Sequence, residues 1–423
     1  MKLAVVISQF PCSDEVFILR ELRALQRGGV AMQIFSLRRA AEGALHAEAQ
    51  SLLGATRYSP FLWSWPVVAR NLQLLVTRPL FYGRLLARVL GETWGSRAFL
   101  ARSIVLFPLA VRWGMELRAS PVDRIHAHWA THPSTAAWIM SRISGIPFSM
   151  TAHAHDIYLD QAMLPFKLRA SVAVLTCTRE NLDFLQRLVP DLPDDRLRLS
   201  YHGVDLAAYR PAPAPPERFR ILSVGTLLPR KGFDTLLEAC ALLERDGTPY
   251  ACEIVGDGPI RAELERQARR LGLASVTFLG KRSQEELPEI YRRASVFVLA
   301  ANHGIGLGGA SPAARKRPGA ADLIHFGIPN VILEAMASGL PVVASGLPAL
   351  KEVLVEDGNG VGVPERNPAA LAAALRALAR DPMRRARLGA HAAARVRAGF
   401  DLACTAGEVA RALGTELAVE TSA

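Results

Sequence analysis

Short β-favouring runs alternate with helix-patterned segments along this chain, and after residue 210 the alternation begins again. In the first half the runs are KLAVVIS (2–8), AMQIFSL (31–37), DRIHAHW (123–129), PFSMTAH (147–153) and AVLTCT (173–178). Between them lie segments such as EVFILRELRALQRGG (15–29), ending on Gly28 and Gly29 as helices commonly do. Strands separated by helices pair in parallel, because a parallel pair needs a long crossover, so the pattern predicts a doubly wound α/β sheet. RPAPAPPERFR (210–220) is Pro-rich, poor in hydrogen-bond donors, and reads as a linker. The second half then repeats the scheme: strand FRILSVG, helix 233–246, strand 250–255, helix 260–271, strand 276–279, helix 284–294 and strand 296–300. Gly272 closes one of these helices, and Ser283 with Glu286 three residues on predicts a capping box for another. The expected organisation is a first Rossmann-like domain over 1–209, the linker 210–220, a second domain over 221–395, and a last helical segment, 396–423.

Two stretches break the rhythm. Residues 58–118 are apolar and studded with Arg, an expected helical insertion in the first domain. No window reaches 18 uninterrupted apolar residues, which argues against a membrane span. Two readings stand for it: helices packed on the first sheet, or helices whose interleaved Arg and Trp lie on a membrane surface. The other break, 302–324, is rich in Gly, Ala and Arg and reads as a long loop.

The formal net charge of +11 favours an anionic partner: a phosphate-bearing ligand, an acidic membrane or nucleic acid. Aromatic residues are sparse and no nucleic-acid-binding motif is present, so nucleic acid is not expected. Five scattered cysteines (Cys12, Cys177, Cys240, Cys252, Cys404), with no C-x-x-C, suit a reduced compartment and no structural zinc. The apolar run in MKLAVVISQF is too short for a signal peptide and reads as a buried first strand, so a cytoplasmic protein is expected.

Candidate chemistry gathers where strands of the second half end. The strand finishing SVG is followed by TLLPRKG and a helix, so Arg230 and Lys231 hang over a natural phosphate position; two solvated basic residues in a turn is the alternative. GDGP (256–259) follows the next strand, with Gly258 permitting close backbone approach and Pro259 suited to a helix start. In GIPNVILEAMASG, Gly327 and Pro329 open a helix whose Asn330 and Val331 amides can donate to phosphate or sugar oxygens. Gly339 ends it, and Glu334 falls about one turn in. A carboxylate on an otherwise apolar helix demands partners, because unpaired burial costs several kcal/mol. In the first half, His126, His128 and His132, and separately His153, His155 and Asp156, have spacings that metal ligands could use. Satisfied histidines at strand ends are the commoner case, and no metal is expected.

The ordered series SVGTLLPRKGF, IVGDGP, FLGK, GIPNVILEAMASGLPVVAS and EVLVEDGNGVGVP resembles the family-4 retaining glycosyltransferases. FPCSDEVFILREL, HAHWATHPSTAAWIMSRISGIPFSMTAHAHDIY and YHGVDLAAYRP resemble the branch that builds bacterial exopolysaccharides, including colanic-acid-type enzymes; the resemblance covers about residues 1–400. It implies the GT-B fold, two Rossmann-like doubly wound domains facing a cleft, the first on the acceptor side and the second binding the nucleotide sugar. It implies that the last helix is a candidate to cross back to the first domain. It also implies that Lys231 binds the donor diphosphate, that Glu334 holds the ribose, and that the amides around Gly327, Pro329, Asn330 and Val331 approach the diphosphate or sugar. Lys281 would lie near the base, Thr226, Arg230 and Gly256 would border the donor, and His153 would reach the donor sugar. Leaving-group charge would be stabilised by Lys231 and helix amides rather than a metal.

Two positions depart from the family pattern. Thr226 stands where an Arg usually supports the diphosphate, and Phe326 stands where a first carboxylate usually contacts sugar hydroxyls. Each lost charge-assisted contact costs about 1.5–3 kcal/mol. The expected activity is transfer of a hexosyl unit from a nucleoside-diphosphate sugar to a lipid-linked or polysaccharide acceptor, at the inner face of the cell membrane and with an anionic membrane surface among its partners. A degenerate homologue that binds a nucleotide sugar or glycan without turnover is the alternative.

Overall fold

The computed structural model describes residues 1–12, 15–39, 49–214, 216–302, 327–346 and 348–417. Two compact units emerge among these. The first contains Met1–Tyr201 together with the chain from Thr405 onward; the second runs from His202 to Cys404.

The first unit is built on a seven-stranded sheet in which every pairing is parallel. β1 (Lys2–Phe10), α1 (Val16–Arg27), β2 (Ala31–Arg39), α2 (Gln50–Leu53) and β3 (Thr56–Tyr58) form its first half. Three helices follow, α3 (Trp65–Thr77), α4 (Pro79–Thr93) and α5 (Arg97–Ala119), where the insertion was expected. Then come β4 (Arg124–His128), α6 (His132–Ser144), β5 (Phe148–Ala152), α7 (His155–Tyr158), α8 (Leu164–Ala170), β6 (Ala173–Thr176), α9 (Arg179–Leu188) and β7 (Leu197–Leu199). The strand order is β3-β2-β1-β4-β5-β6-β7, so the chain reverses its direction of travel across the sheet at β1. The two outer strands have three residues each and went unsignalled in the sequence, being too short to show a period.

α5 is, among the described residues, the one helix long and apolar enough to cross a membrane by length and composition, and half of that stretch is buried within the protein. It packs closely on α6 at Gly114, where a Cβ would stand 3.0 Å from Ile143 and 3.1 Å from the Met140 Cα. Trp113, Leu117 and Ala110 bury against the sheet in the same core. Buried apolar area of this kind, worth about 25 cal/mol per Å², makes it a core helix.

The second unit holds a six-stranded parallel sheet. β8 (Arg220–Val224), α10 (Phe233–Arg245), β9 (Ala251–Val255), α11 (Arg261–Arg270), β10 (Val276–Gly280), α12 (Leu287–Arg292) and β11 (Val296–Leu299) precede the undescribed stretch 303–326. α13 (Asn330–Ala337), β12 (Val342–Ser345), β13 (Gly360–Val363), α14 (Pro368–Arg380) and α15 (Pro382–Gly399) complete it. The order β10-β9-β8-β11-β12-β13 puts the reversal at β8. The final helix, α16 (Leu402–Ala412), buries Val409 and Ala410 in the first unit's core with Leu3, Val5 and Leu22.

Two local readings meet detail here. The Ser283–Glu286 capping box forms: the Ser283 amide donates to Glu286 Oε2 at 2.8 Å, and the Glu286 amide donates to Ser283 Oγ at 3.3 Å. The regular helix is nonetheless only Leu287–Arg292, shorter than 284–294, because Pro288 is confined to a first turn and the chain leaves at Ala294 for β11. The stretch 210–220 gives its last residues to the sheet, since Phe219 is buried and Arg220 begins β8.

Candidate active site

In a doubly wound sheet the loops leaving the carboxyl ends of the strands on either side of the reversal diverge and leave a crevice. In the second unit these are the loops after β8, β9 and β11. Backbone contact holds them close together. Gly232, at φ +69°, has no side chain because a Cβ there would stand 1.8 Å from the Ala300 carbonyl oxygen. A Cβ on Gly256 would stand 1.9 Å from the Gly225 oxygen, and one on Gly258 would be 2.4 Å from the Leu227 oxygen. The close approach expected at Gly258 is therefore present, and Gly256 shows another; the helix beyond starts at Arg261 rather than directly at Pro259. Asn302, buried three residues past the end of β11, donates its amide to the Arg230 oxygen at 2.9 Å and its Nδ2 to the Pro229 oxygen at 3.4 Å. Its Oδ1 accepts from Arg366 at 3.3 Å.

Arg230 and Lys231 lie in the single turn Pro229–Lys231, directly before α10. Burial, then the neighbouring Arg230 charge, pushes the Lys231 ammonium down to about 8, and burial also lowers Arg230. Two adjacent, partly desolvated cations beside a helix N-terminus make a setting in which an anion is favoured and a further cation is not.

α13 begins at Asn330, with Pro329 as its extended N-cap. The Asn330 and Val331 amides belong to the first turn, where no preceding carbonyl can accept them. Glu334 lies one turn in and is 4% exposed; its Oε2 accepts from the Tyr291 hydroxyl at 3.0 Å, and that hydroxyl also lies 3.3 Å from the Val331 oxygen. Tyr291 is itself fully buried, edge-on to Tyr209. Thr226 is exposed in the loop after β8, Lys281 is exposed just past β10, and Gly327 is partly buried before α13. Phe326 lies outside the described residues, as do the residues 303–325 before it. The second unit thus gathers Arg230, Lys231, Gly256, Pro329, Asn330, Val331 and Glu334 along one sheet edge, the first two tied through Asn302 to the β11 loop that leads toward α13.

His153 belongs to the first unit, immediately after β5. Its amide donates to both oxygens of Asp156, at 3.0 and 3.3 Å, and its carbonyl accepts from Cys177 Sγ at 3.1 Å and from Asn181 Nδ2. The ring lies 4.5 Å from the Trp129 ring and 5.1 Å from Phe17. Asp156 also accepts from the amides of Ala154 at 2.8 Å and Ala130 at 2.6 Å. Burial pushes its carboxyl up and these amides pull it back. Lys167, fully buried on α8, donates to the Ala130 oxygen at 2.5 Å and the Thr131 oxygen at 3.0 Å, and burial pushes it down to about 7. Asp156 and Lys167 thus grip one peptide segment from its two polar sides, next to Trp129, a non-glycine residue at φ +80°.

The histidine groups sort differently from their spacing. His132 stacks on Phe99 at 4.3 Å, and burial lowers it to about 4. In its place Glu21 joins His126 and His128, the three offering atoms within 4.8 Å of one another. His126 meets Ser149 Oγ at 2.9 Å and Thr151 Oγ1 at 3.1 Å through its two nitrogens, and Glu21 lies 3.5 Å from His128. Burial raises the Glu21 carboxyl to about 8. Sequence reasoning did not find Tyr291, Asn302, Lys167 or Trp129; each acts through contacts with residues distant in the chain, for which spacing carries no signal.

The profile of the family described as "Glycosyl transferases group 1" matches residues 208–395. The D-inositol 3-phosphate glycosyltransferase of Frankia alni is 31% identical over 324 residues, covering 68% of this chain and 73% of that protein. The putative colanic acid biosynthesis glycosyltransferase WcaL of Escherichia coli is 31% identical over 188 residues, 44% of this chain and 42% of that protein. Among solved structures, Anabaena HepE in complex with UDP and glucose superposes with a TM-score of 0.65 at 18% identity, over 98% of this chain and 99% of that one. The two parallel sheets and this likeness make the fold GT-B.

Proposed function

Because the chain belongs to the group 1 glycosyl transferases, we propose that it is a family-4-type, retaining hexosyltransferase. It moves a hexosyl unit from a nucleoside-diphosphate sugar to a lipid-linked or polysaccharide acceptor in cell-surface polysaccharide synthesis. The likeness to a protein named for colanic acid biosynthesis supports that setting. One observation carries the proposal: the two adjacent cations Arg230 and Lys231 share one sheet edge with the N-terminus of α13 and with Glu334, a buried carboxylate whose orientation a tyrosine fixes.

Lys231 receives the diphosphate. Its lowered value rises when the anion binds, so the group is a full cation when the bond to the leaving diphosphate breaks. The Asn330 and Val331 amides take up further charge from the same leaving group, and no metal is required. Glu334 accepts from ribose hydroxyls, Lys281 and Thr226 border the nucleotide, and His153 is the first unit's contribution to the reaction. The reaction takes place in the cytoplasm, at the inner face of the membrane where a lipid-linked acceptor is held.

A panel of nucleoside-diphosphate sugars, offered with lipid-linked acceptors, tests this by release of nucleoside diphosphate. At least one donor should turn over, and Lys231→Ala and Glu334→Ala should each lower that turnover by about a hundredfold. Donor-induced thermal shifts without turnover would instead identify a degenerate nucleotide-sugar-binding homologue. No shift and no release with any donor would refute both.

A further inference from the structure

Of the large apolar side chains that the described structure leaves exposed, most fall between residues 61 and 105. Phe61, Trp63, Trp65, Val76, Leu80 and Trp94 are each 74–77% exposed. Their placement on α3 is ordered. Val67 and Leu74, seven residues apart, are its buried face, packed toward α5. At 3.6 residues per turn, Trp65, Leu72 and Val76 fall roughly half a turn away from that face. α3 therefore carries a second apolar stripe, pointing away from the core that already uses the first. A helix serving only that core would carry polar groups there.

The helix is not loosely attached. Asn71 Nδ2 donates to the Pro108 oxygen of α5 at 2.9 Å, and the Tyr82 hydroxyl of α4 donates to Asn71 Oδ1 at 3.1 Å. The outer stripe is thus a fixed surface.

The charge around it has one sign. Residues 57–118 contain nine Arg, no Lys or Asp, and two Glu, a net charge of +7 against +11 for the whole chain. Both glutamates are engaged, Glu92 by Arg88 and Glu116 by Arg57 and Arg112. On its other flank α4 borders a groove of about 760 Å³ shared with α6 and α8. Arg84, Arg88 and Arg142 surround an aromatic floor of Phe81, Trp138 and Phe166, with Arg88 5.2 Å above the Phe166 ring. Phe148 also lines it, which places the groove at the amino end of β5, the end opposite His153.

We propose that the outer face of α3 and α4, with the Phe61–Trp65 segment, docks this protein on an anionic lipid bilayer, and that the adjoining groove takes a lipid phosphate headgroup with its first carbons. Protruding tryptophans and leucines enter the interfacial layer while the arginines meet lipid phosphates. A second copy of the chain is disfavoured, because pairing two such faces would set like charges against each other. The proposal stands on this surface alone and does not depend on the glycosyl-transfer reading.

Sedimentation of the full chain with phosphatidylethanolamine/phosphatidylglycerol vesicles, against pure phosphatidylcholine vesicles, is the test. Binding should need the anionic lipid and weaken with salt, and tryptophan emission should shift to the blue on binding. The triple variant Trp65→Ser, Leu72→Ser, Val76→Ser should bind at least about tenfold more weakly with unchanged circular dichroism and Tm, since all three side chains are exposed. Equal binding by that variant, or equal binding to both vesicle types, would overturn the docking face. The double variant Arg84→Glu, Arg142→Glu should lower binding several-fold, and glycerol phosphate should compete weakly; indifference to both would overturn the groove. A wild-type dimer that ignores vesicles, and that the triple variant converts to monomer, would make the occupant a second copy and sink the proposal.

Discussion

The two sheets have the same winding, yet their carboxyl edges are assembled by opposite means. In the second unit the edge is drawn together by missing side chains: Gly232, Gly256 and Gly258 let loop backbones touch at distances a Cβ forbids. In the first unit it is drawn together by buried charge, with Asp156 and Lys167 gripping the polar groups of one peptide segment beside Trp129 and His153. A glycine-built edge closes through backbone contact, whereas a charge-built edge spends charged side chains on the protein itself. This difference is a reason to place anion binding in the second unit, although the first contains more ionisable groups in its interior.

The largest expected effect breaks the glycine-built edge. Gly256→Ala puts a Cβ 1.9 Å from the Gly225 oxygen at φ +136°, so the β8 and β9 loops must separate. Strain and overpacking together should cost about 3 kcal/mol, read as a lower urea midpoint, and should abolish donor binding. A loss below about 1 kcal/mol would show that the loops part easily and that the edge is not fixed by close backbone approach.

The same contrast explains which features are legible in the sequence. The alternation of strands and helices, the capping box at Ser283 and the close approach at Gly258 are local properties of the chain, and they were legible. So was the buried character of Glu334, from one carboxylate in VILEAMA. Its partner was not: Tyr291 lies 43 residues away on another helix, and nothing in YRRAS distinguishes it from a packing tyrosine. In the first half, pattern and spacing grouped His126 and His128 with His132, whereas the fold replaces His132 by Glu21 from α1. Contacts between different strands and helices depend on register and crossover, which residue spacing within one segment does not encode.

Lys167 tests the charge-built edge through pH. Its folded value of about 7 lies below the 10.5 of an exposed lysine, so the folded state binds its proton less readily than the unfolded chain. The stability contribution is therefore complete above pH 10.5 and is lost as the pH falls toward 7. Relative to Lys167→Met, which cannot titrate, the wild type should gain up to about 1.4 kcal/mol per pH unit between pH 7 and 10. Chemical denaturation of both proteins across that range measures it. A constant difference would show that Lys167 is not desolvated and that the segment at Ala130 is held otherwise.

Lys231 carries the matching test for the second unit, in binding rather than stability. An anionic donor prefers the ammonium form, so affinity should be level below about pH 8 and fall above it, by up to about tenfold per unit. Lys231→Arg keeps its charge through this range, and its profile should be flat even if its affinity is lower. Titration of nucleoside diphosphate from pH 6.5 to 9.5 reads both curves. Parallel profiles would remove Lys231 from the diphosphate site.

The smallest expected effect separates holding from binding at Glu334. Tyr291→Phe keeps the ring that packs on Tyr209 and removes only the hydroxyl that donates to Oε2 at 3.0 Å. A hydrogen bond to a charged group is worth about 1.5–3 kcal/mol, but here the carboxylate can recover part of that from a bound ribose. Stability should therefore fall by about 1–2 kcal/mol in the free protein, while saturating donor restores a portion of it through linkage. Donor Kd should rise about three- to tenfold, because Glu334 must be oriented by the ligand instead of by the protein. If stability falls and Kd does not move, the Tyr291–Glu334 pair is a packing device of α12 and α13, and the ribose must be held by other groups on this edge.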